Sequence, residues 1–201
     1  CGIQTGAGSI MKALACEEGS SIAIYGGGSV GLSAVMGAVI QKCSTIILVE
    51  PMESRRQLAL SLGATHVIDP ILSDTQTSIH EICPLGVNYG FDSTGVSSVI
   101  ETAIATLAPR GELGLVGTSS QDSSLPTFDP SALLTGQGIR GICEGEVDPL
   151  QFIPLMLDHY KNGNFPFDRL ITTYPFDQIN EAIDDQGRGE CVKPVLVFDI
   201  E

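Results

Sequence analysis

The stretch SIAIYGGGSVGLSAVMGAV, residues 21–39, places three consecutive glycines between a short apolar run and a segment of small residues with helical period. Within it, Gly26, Gly28 and Gly31 form the pattern G-x-G-x-x-G after a predicted strand and at the start of a predicted helix. The first glycine permits a tight turn, the second a close approach of a diphosphate to the backbone, and the third close packing of the helix. The helix N-terminus then offers unpaired N–H groups and partial positive charge. The stretch therefore predicts a dinucleotide-binding turn.

An acidic residue, Glu50, follows the next predicted strand and lies about 20 residues after Gly31, where such folds place the acid that binds the adenosine ribose. A carboxylate at this position repels a 2′-phosphate, so the sequence favours NAD over NADP. Arg55 and Arg56 are the counterweight, because either can accept a phosphate. We interpret both more simply as solvated side chains at a helix start, with Arg55 kept as a candidate cofactor-binding residue.

Short β-like runs recur along the chain, and segments of helical period separate most of them. The predicted strands are Ile22–Tyr25, Thr45–Val49, His66–Ile68, Tyr89–Phe91, Glu112–Val116 and Gly138–Cys143. The helical segments between them cover residues 30–40, 55–62 and 96–107, and residues 117–130, rich in Ser, Asp and Pro, are predicted to form a loop. This alternation predicts an α/β fold with a doubly wound parallel sheet of the Rossmann type.

The chain of 201 residues is 43% hydrophobic with a mean hydropathy of +0.22, enough for one good core. It carries 24 acidic against 10 basic residues, a net charge of -14, so its field repels nucleic acid and anionic membranes. No uninterrupted apolar run of transmembrane length is present in the sequence. An anionic ligand must therefore be held by local dipoles and a few placed cations.

Six cysteines are scattered without C-x-x-C spacing, which favours a reducing, cytoplasmic setting. The first residue is Cys1 and not Met, so we expect the chain to be part of a longer protein.

The pattern changes after about residue 144, and we divide the chain there into a dinucleotide-binding domain, 1–144, and a C-terminal segment, 145–201. The segment predicts a helix ending near Gly163, a short helix over 176–183 and a strand over 193–198. Its apolar residues need a surface to bury against.

Several blocks in order resemble the coenzyme-binding half of the zinc-dependent alcohol dehydrogenases, in the medium-chain dehydrogenase/reductase superfamily. The blocks are CGIQTGAG, GGGSVG, ILVEP, LGATHVID, FDSTG, LVGT and GECVKPVLVF, and the resemblance covers essentially all 201 residues. Within that family, CGIQTGAGSI and DHYKNGNFPFDRLITTYPFDQINEAI are most similar to the aryl-alcohol dehydrogenases. The resemblance implies NAD and zinc as cofactors and a small alcohol or aldehyde as substrate.

The resemblance also implies roles for single residues. Cys1 matches a ligand of the catalytic zinc, and Lys193 a basic residue that pairs with the pyrophosphate. Thr5 faces the nicotinamide by this resemblance, and Val30 packs on the far side of its ring. From the residues alone, Lys193 is equally well a surface lysine before a strand.

Two further threonines, Thr94 and Thr118, match positions near the adenosine and the nicotinamide carboxamide, respectively. From sequence alone, they and Thr5 are better interpreted as ordinary turn hydroxyls.

The family's remaining zinc ligands, a second cysteine and a histidine, belong to an upstream catalytic domain and have no counterpart here. His66, His80 and His159 match no ligand position, and the four-cysteine structural zinc lobe is missing. We therefore expect this chain alone to be inactive, and we assign no catalytic residue. In the family the tail folds back onto the catalytic domain, so here we expect it to be self-buried, paired between chains or poorly ordered.

The leading hypothesis is the NAD-binding domain of a zinc-dependent dehydrogenase that interconverts an aryl alcohol and its aldehyde. The strand over 138–143 resembles the segment through which family members pair their sheets, so we expect a homo-oligomer. One alternative is a stand-alone NAD-binding module without catalysis. Another is a zinc-free quinone or enoyl reductase, against which Cys1 within CGIQTG argues.

Overall fold

Six parallel strands form the centre of the molecule, in the order β3-β2-β1-β4-β5-β6. The computed structural model describes residues 1–118, 127 and 129–198. The strands are β1 Ser21–Tyr25, β2 Thr45–Val49, β3 His66–Ile68, β4 Val87–Asp92, β5 Leu107–Leu115 and β6 Gly138–Gly141. The strand order reverses between β1 and β4, and doubly wound sheets bind ligands at that switch point. The predicted α/β doubly wound sheet is confirmed.

Helices cover both faces of the sheet. They are α1 Gly2–Gly8, continued by the π-helical segment Ser9–Ala13, α2 Ser29–Ile40, α3 Glu53–Ser61, α4 Thr75–Ile82 and α5 Ser97–Ala105. Short 3₁₀ turns occupy Pro130–Thr135, Glu144–Glu146, Phe167–Leu170 and Phe176–Gln178. Within the described ranges, every helix is too short or too polar to span a bilayer.

The central strands read as apolar runs because they are buried on both faces. Alternate residues of β1 enter two core clusters, Ile22 and Ile24 on one face, and Ala23 and Tyr25 on the other. Tyr25 is buried but satisfied, since its hydroxyl lies 2.6 Å from that of Thr106, and burial raises its pKa. The end of β1, where the glycine turn begins, is thus rigidly held.

The C-terminal segment forms a second, smaller unit. It contains α6 Pro149–Lys161, β7 Ile171–Pro175, α7 Ile179–Arg188 and β8 Lys193–Val197, and β7 pairs with β8 in parallel. Its buried side chains divide between the main core, which Phe152, Phe165 and Leu170 join, and a small cluster around Tyr174, Ala182 and Cys191. Other apolar side chains stay exposed, namely Leu150, Ile153, Leu155, Leu157, Tyr160, Phe176, Ile179, Ile183, Val197 and Phe198. The segment is therefore only partly self-buried.

Three elements were not predicted: α1, α4 and β7. The α1 sequence GIQTGAG is rich in glycine, and α4 has a polar sequence with one fully buried residue, Ile79. Most of the predicted loop over 117–130 lies outside the described residues, as do positions 199–201 of the segment.

Candidate dinucleotide site

A cavity of about 900 Å³ opens at the carboxyl ends of β1, β2 and β4. Its volume suits a ligand of cofactor size. The glycine turn forms one wall and the end of β2 a second, while the start of α4 and residues of the C-terminal segment complete the rim. The switch point of the sheet is thus a preformed pocket.

Each glycine of the turn has a distinct steric role. Gly26 has φ +96°, a left-handed conformation that favours glycine. A Cβ on Gly31 would lie 1.8 Å from the carbonyl oxygen of Gly26, so only glycine allows α2 to pack this closely. A Cβ on Gly28 would meet nothing within 4 Å, and Gly28 lines the cavity. The turn therefore leaves bare backbone beside open space at the start of α2.

Glu50 lies on the opposite side of the turn and is only 4% exposed. Its Oε2 accepts a hydrogen bond from the Gly27 N–H at 2.5 Å, and its Oε1 accepts one from the Met52 N–H at 2.9 Å. A carboxylate has about four acceptor sites, so oxygen lone pairs remain for a ligand hydroxyl. The side chain is thus fixed at the wall of the cavity, which it lines.

The interpretation of Arg56 as a solvated side chain is wrong. Arg56 is 7% exposed, and it donates hydrogen bonds to the carbonyl oxygens of Glu50 and Pro51 and pairs with Glu53 and Asp69. It is buried because α3 turns it back beneath the end of β2, where unpaired carbonyl oxygens need donors.

Arg55, in contrast, lines the cavity. Its Nη2 donates to the carbonyl oxygen of Gln186 at 3.4 Å, and its buried Nε has no hydrogen-bond partner in the structure. The two neighbouring arginines therefore differ: Arg56 completes the fold, and Arg55 is a cation at the rim of the site.

The turn after β4 is organised by Asp92, which sequence reasoning missed. Its side chain is fully buried and accepts hydrogen bonds from the Thr94 hydroxyl at 2.7 Å and from the Gly95 N–H at 2.9 Å. Ser93 donates to the carbonyl oxygen of Tyr25 at 2.9 Å, so this turn is bound to the end of β1. A strand-end aspartate before S-T-G is the sequence signal that could have identified it.

The ten predicted cofactor-binding residues divide into those that line the cavity and those that do not. Six line it, namely Gly26, Gly28, Val30, Glu50, Arg55 and Thr94. Gly31 lies directly beneath the turn and does not line the cavity, and the remaining three, Thr5, Thr118 and Lys193, do not line it either.

Those three residues are nevertheless close to elements of the site. Thr5 is buried in α1, whose neighbouring Gly6 would place a Cβ 2.1 Å from the carbonyl oxygen of Val30. Thr118 is exposed, and Lys193 begins β8 directly after Val192, which does line the cavity. Sequence reasoning also missed the wall formed by Ser73, Asp74, Thr75 and Gln76, because it did not predict α4.

Cys1, the candidate zinc ligand, is exposed, and its thiol donates to Glu144 Oε1 at 3.6 Å. In the described part of the chain, no group of three or more His, Cys, Asp and Glu side chains is placed to hold a metal ion. A cysteine thiolate is a ligand type that zinc accepts, so Cys1 would supply one of the four ligands that a zinc ion needs.

A family model described as zinc-binding dehydrogenase matches residues 29–161. The chain belongs to the zinc-binding dehydrogenase family. It supplies the dinucleotide-binding domain of this family, as the sequence predicted. The matched stretch includes the first turn of α2, Glu50 and the whole wall formed by α4.

Curated relatives and solved structures agree with this membership. The chain is 46% identical over 199 residues to geraniol dehydrogenase from Castellaniella defragrans, covering 98% of this chain and 53% of that protein. The structure resembles benzyl alcohol dehydrogenase from Acinetobacter calcoaceticus with a TM-score of 0.94 and 41% identity, covering 98% of this chain and 54% of that one. An alcohol dehydrogenase zinc-binding domain protein from Burkholderia ambifaria has the same TM-score, 46% identity and coverages of 98% and 53%.

The chain spans about half the length of the curated relatives it matches. Curated relatives are named as geraniol dehydrogenase, alcohol dehydrogenase and S-(hydroxymethyl)glutathione dehydrogenase, which does not favour the alternatives of a stand-alone module or a quinone or enoyl reductase.

Proposed function

We propose that the cavity binds NAD, with the diphosphate at the glycine turn, and that the chain is the coenzyme-binding part of a zinc-dependent alcohol dehydrogenase. The observation that carries the proposal is the turn itself. Gly28 caps α2 without a side chain, so no side chain competes for the first N–H groups of the helix. In a protein of net charge -14, these groups and the helix dipole attract an anion locally.

The proposal for NAD rather than NADP rests on Glu50. Its carboxylate is fixed by two backbone N–H groups and cannot swing away from a ligand without losing both bonds. A ribose hydroxyl can donate to it, whereas a 2′-phosphate brings a second negative charge against it. Arg55 offers partial compensation from the rim, with its guanidinium held by the Gln186 carbonyl oxygen.

Titration calorimetry with NAD tests the turn through a pair of matched variants. Gly28→Val adds a side chain in the open space of the cavity, and we expect NAD binding to be lost without a change in folding. Gly141→Val makes the same substitution on β6, where a Cβ also meets nothing within 4 Å and where the residue does not line this cavity. We expect this control to bind NAD like the wild type. Equal NAD affinities of the Gly28 variant and the wild type would refute the proposed site.

A second titration tests the preference between the two dinucleotides. Glu50→Gln removes the charge while keeping the side-chain size, and we expect the ratio of NADP to NAD affinity to rise about tenfold, or about 1.4 kcal/mol. An unchanged ratio would assign the preference to another group.

For the whole protein, we propose oxidation of an alcohol, and an aromatic one in particular. A relative in structure is named as a benzyl alcohol dehydrogenase. Bound zinc and NAD supply a Lewis acid and a hydride acceptor, respectively. The residues of this chain hold the dinucleotide at the switch point and offer Cys1 as one zinc ligand.

Metal analysis and benzyl alcohol oxidation by the full-length protein test this part. Cys1→Ser is expected to lower the zinc content and abolish turnover, and to leave NAD affinity within about twofold of the wild type. Full turnover in a zinc-depleted variant would exclude the role proposed for Cys1.

We propose further that segment 145–201 packs on the part of the protein that precedes Cys1. We also propose a cytoplasmic location, since the six scattered cysteines are typical of a reducing setting. Exposed Phe176, Ile183 and Phe198 support this packing. A homo-oligomer joined through β6 is also proposed, because β6 is one of the two edge strands of the sheet and its outer edge is open to pairing. Sedimentation of the full-length protein as a lone monomer would contradict the oligomer.

A further inference from the structure

The middle glycine of the turn, Gly27, stands at a position that the pattern G-x-G-x-x-G leaves free. Its φ lies outside the left-handed range that favours glycine, in contrast to that of Gly26. The backbone conformation therefore does not itself require a glycine at residue 27, and the reason for one lies in what surrounds it.

The side chain of Glu50 fills the space into which a side chain at residue 27 would extend. A Cβ on Gly27 would lie 2.8 Å from Cγ, 3.1 Å from Cδ and 2.9 Å from Oε2 of Glu50, and these are its three nearest atoms. The two carbon–carbon distances are well below the roughly 3.5 to 4.0 Å of a favourable contact. Because the middle of the Glu50 side chain is involved as well as its end, turning the carboxylate alone would not relieve the contact.

Glu50 cannot leave this position without losing a hydrogen bond. The residue is 4% exposed, and its two carboxylate oxygens accept from the N–H groups of Gly27 and Met52. The donor of the first bond and the added methyl group would belong to the same residue, so moving the carboxylate away from the methyl group breaks that bond. Gly27 thus gives Glu50 both a donor and the space in which to accept from it.

We propose that Gly27 is a specificity-determining residue of the dinucleotide site, because glycine at this position lets Glu50 hold its carboxylate at the cavity wall. The inference rests on the proposed function, in which that carboxylate accepts from the ribose of NAD and repels the 2′-phosphate of NADP. Gly27 acts through Glu50 and is therefore a positioning residue. Two neighbouring glycines then have different tasks: Gly28 leaves room for the diphosphate that both dinucleotides share, and Gly27 positions the group that distinguishes them.

Titration of the full-length protein with NAD and with NADP tests this role through two neighbouring alanine variants. In Gly27→Ala we expect the ratio of NADP to NAD affinity to rise about fivefold, because Glu50 no longer occupies the position that excludes the 2′-phosphate. In Gly28→Ala the added methyl group meets no protein atom within 4 Å and lies where the diphosphate is proposed to bind. This variant should weaken both dinucleotides alike, and so would a general loosening of the turn, so the ratio separates a specificity role from a structural one.

A second pair of variants shows whether Gly27 acts through Glu50. In Glu50→Ala the carboxylate is absent, so a methyl group at residue 27 has no side chain to displace. We expect Gly27→Ala to leave the dinucleotide ratio unchanged in this background, and to cost less unfolding free energy in urea than it does in the wild type. If Gly27→Ala alone does not fold, the double variant should still fold as Glu50→Ala does.

The inference is overturned if Gly27→Ala binds the two dinucleotides with the wild-type ratio of affinities. It is equally overturned if Gly27→Ala lowers stability by the same amount with and without the Glu50 side chain. Both results leave the proposed function standing, provided that the wild type binds NAD and Gly28→Val does not. A wild type that binds no NAD would instead remove the proposed function, and the inference with it.

Discussion

The two parallel sheets of the molecule are built from similar apolar sequences but are held very differently. In β1 of the six-stranded sheet, four of the five residues are buried, whereas no residue of β8 in the two-stranded sheet is fully buried. Phe91 in β4 is fully buried, and Phe198 after β8 is 62% exposed. The difference indicates that the glycine turn is fixed by packing from several sides, while the C-terminal unit depends on a few contacts.

Those few contacts are specific. Phe165 inserts into the main core, and Arg169 donates to the carbonyl and hydroxyl oxygens of Ser61 at 3.0 and 2.8 Å. The end of α7 rests on Met52, which also lines the cavity. The C-terminal unit therefore contributes Gln186 and Val192 to the wall of the cavity.

The largest expected effect comes from a substitution in the glycine turn of the rigid six-stranded sheet. In Gly31→Val the Cβ would lie 1.8 Å from the backbone oxygen of Gly26, and no side chain can move to relieve that contact. We expect a loss of more than about 4 kcal/mol in the free energy of unfolding, measured by urea denaturation. Gly28→Val, three residues earlier, should unfold at the wild-type urea concentration, and equal midpoints for all three proteins would contradict the steric role of Gly31.

The second prediction concerns the anchor of the C-terminal unit. Phe165→Ala removes a fully buried ring from the main core, and we expect a loss of about 3 to 5 kcal/mol in unfolding free energy. Phe198→Ala is the matched control: this ring is 62% exposed and stacks on Phe176 with the ring centroids 4.4 Å apart, so we expect a loss of less than about 1.5 kcal/mol in the 201-residue chain. If the segment packs as proposed, the same Phe198 change costs more in the full-length protein, and equal costs there would count against that packing.

The third prediction distinguishes the two neighbouring arginines. Arg56→Ala leaves Asp69 and the carbonyl oxygens of Glu50 and Pro51 without their donor, and we expect a loss of about 2 to 4 kcal/mol. Arg55→Ala is expected to leave stability nearly unchanged and to weaken dinucleotide binding instead. Thermal unfolding and NAD titration of both variants check this division, and a reversed pattern would show that the roles had been exchanged.

The sheet could be predicted because its strands are apolar runs bounded by glycine or acidic residues. The glycine turn could also be predicted, since each of Gly26, Gly28 and Gly31 is required for a separate steric reason that depends only on local spacing. Glu50 followed from its place at the end of β2. These features are local consequences of the backbone, which is why one sequence was sufficient to find them.

What the sequence did not predict depends on contacts between distant parts of the chain. Arginine is usually a surface residue, and the burial of Arg56 is explained only by its bonds to the Glu50 carbonyl oxygen at the end of β2 and to the Asp69 carboxylate. The polar α4 has an N-cap, Asp74, whose carboxylate accepts from the Thr77 N–H at 2.8 Å, but little apolar pattern to reveal the helix. The part of the cavity formed by Gln186 and Val192 exists only because α7 packs beside α3.

The smallest expected effect concerns the contact between the C-terminal unit and the cavity. Substitutions of two glycines, one within α7 and one directly after it, should change the free energy of unfolding in opposite directions. Gly189 ends the helix at φ +76°, where a Cβ would meet the Met52 sulfur at 2.3 Å. We expect Gly189→Ala to cost about 1 to 2 kcal/mol, because alanine is strained in this conformation and Met52 must move. Gly187 lies within the helix with open space around it, so Gly187→Ala should stabilise by about 0.5 to 1 kcal/mol.

Binding adds a second readout to the same pair. Because Met52 lines the cavity, its displacement in Gly189→Ala should weaken NAD binding about twofold to fivefold, or roughly 0.4 to 1 kcal/mol, while Gly187→Ala leaves it unchanged. A destabilised Gly189 variant with wild-type NAD affinity would mean that the C-terminal unit can shift without disturbing the site. A weakened affinity would instead show that this loosely held unit sets the shape of a cavity whose other wall is rigid.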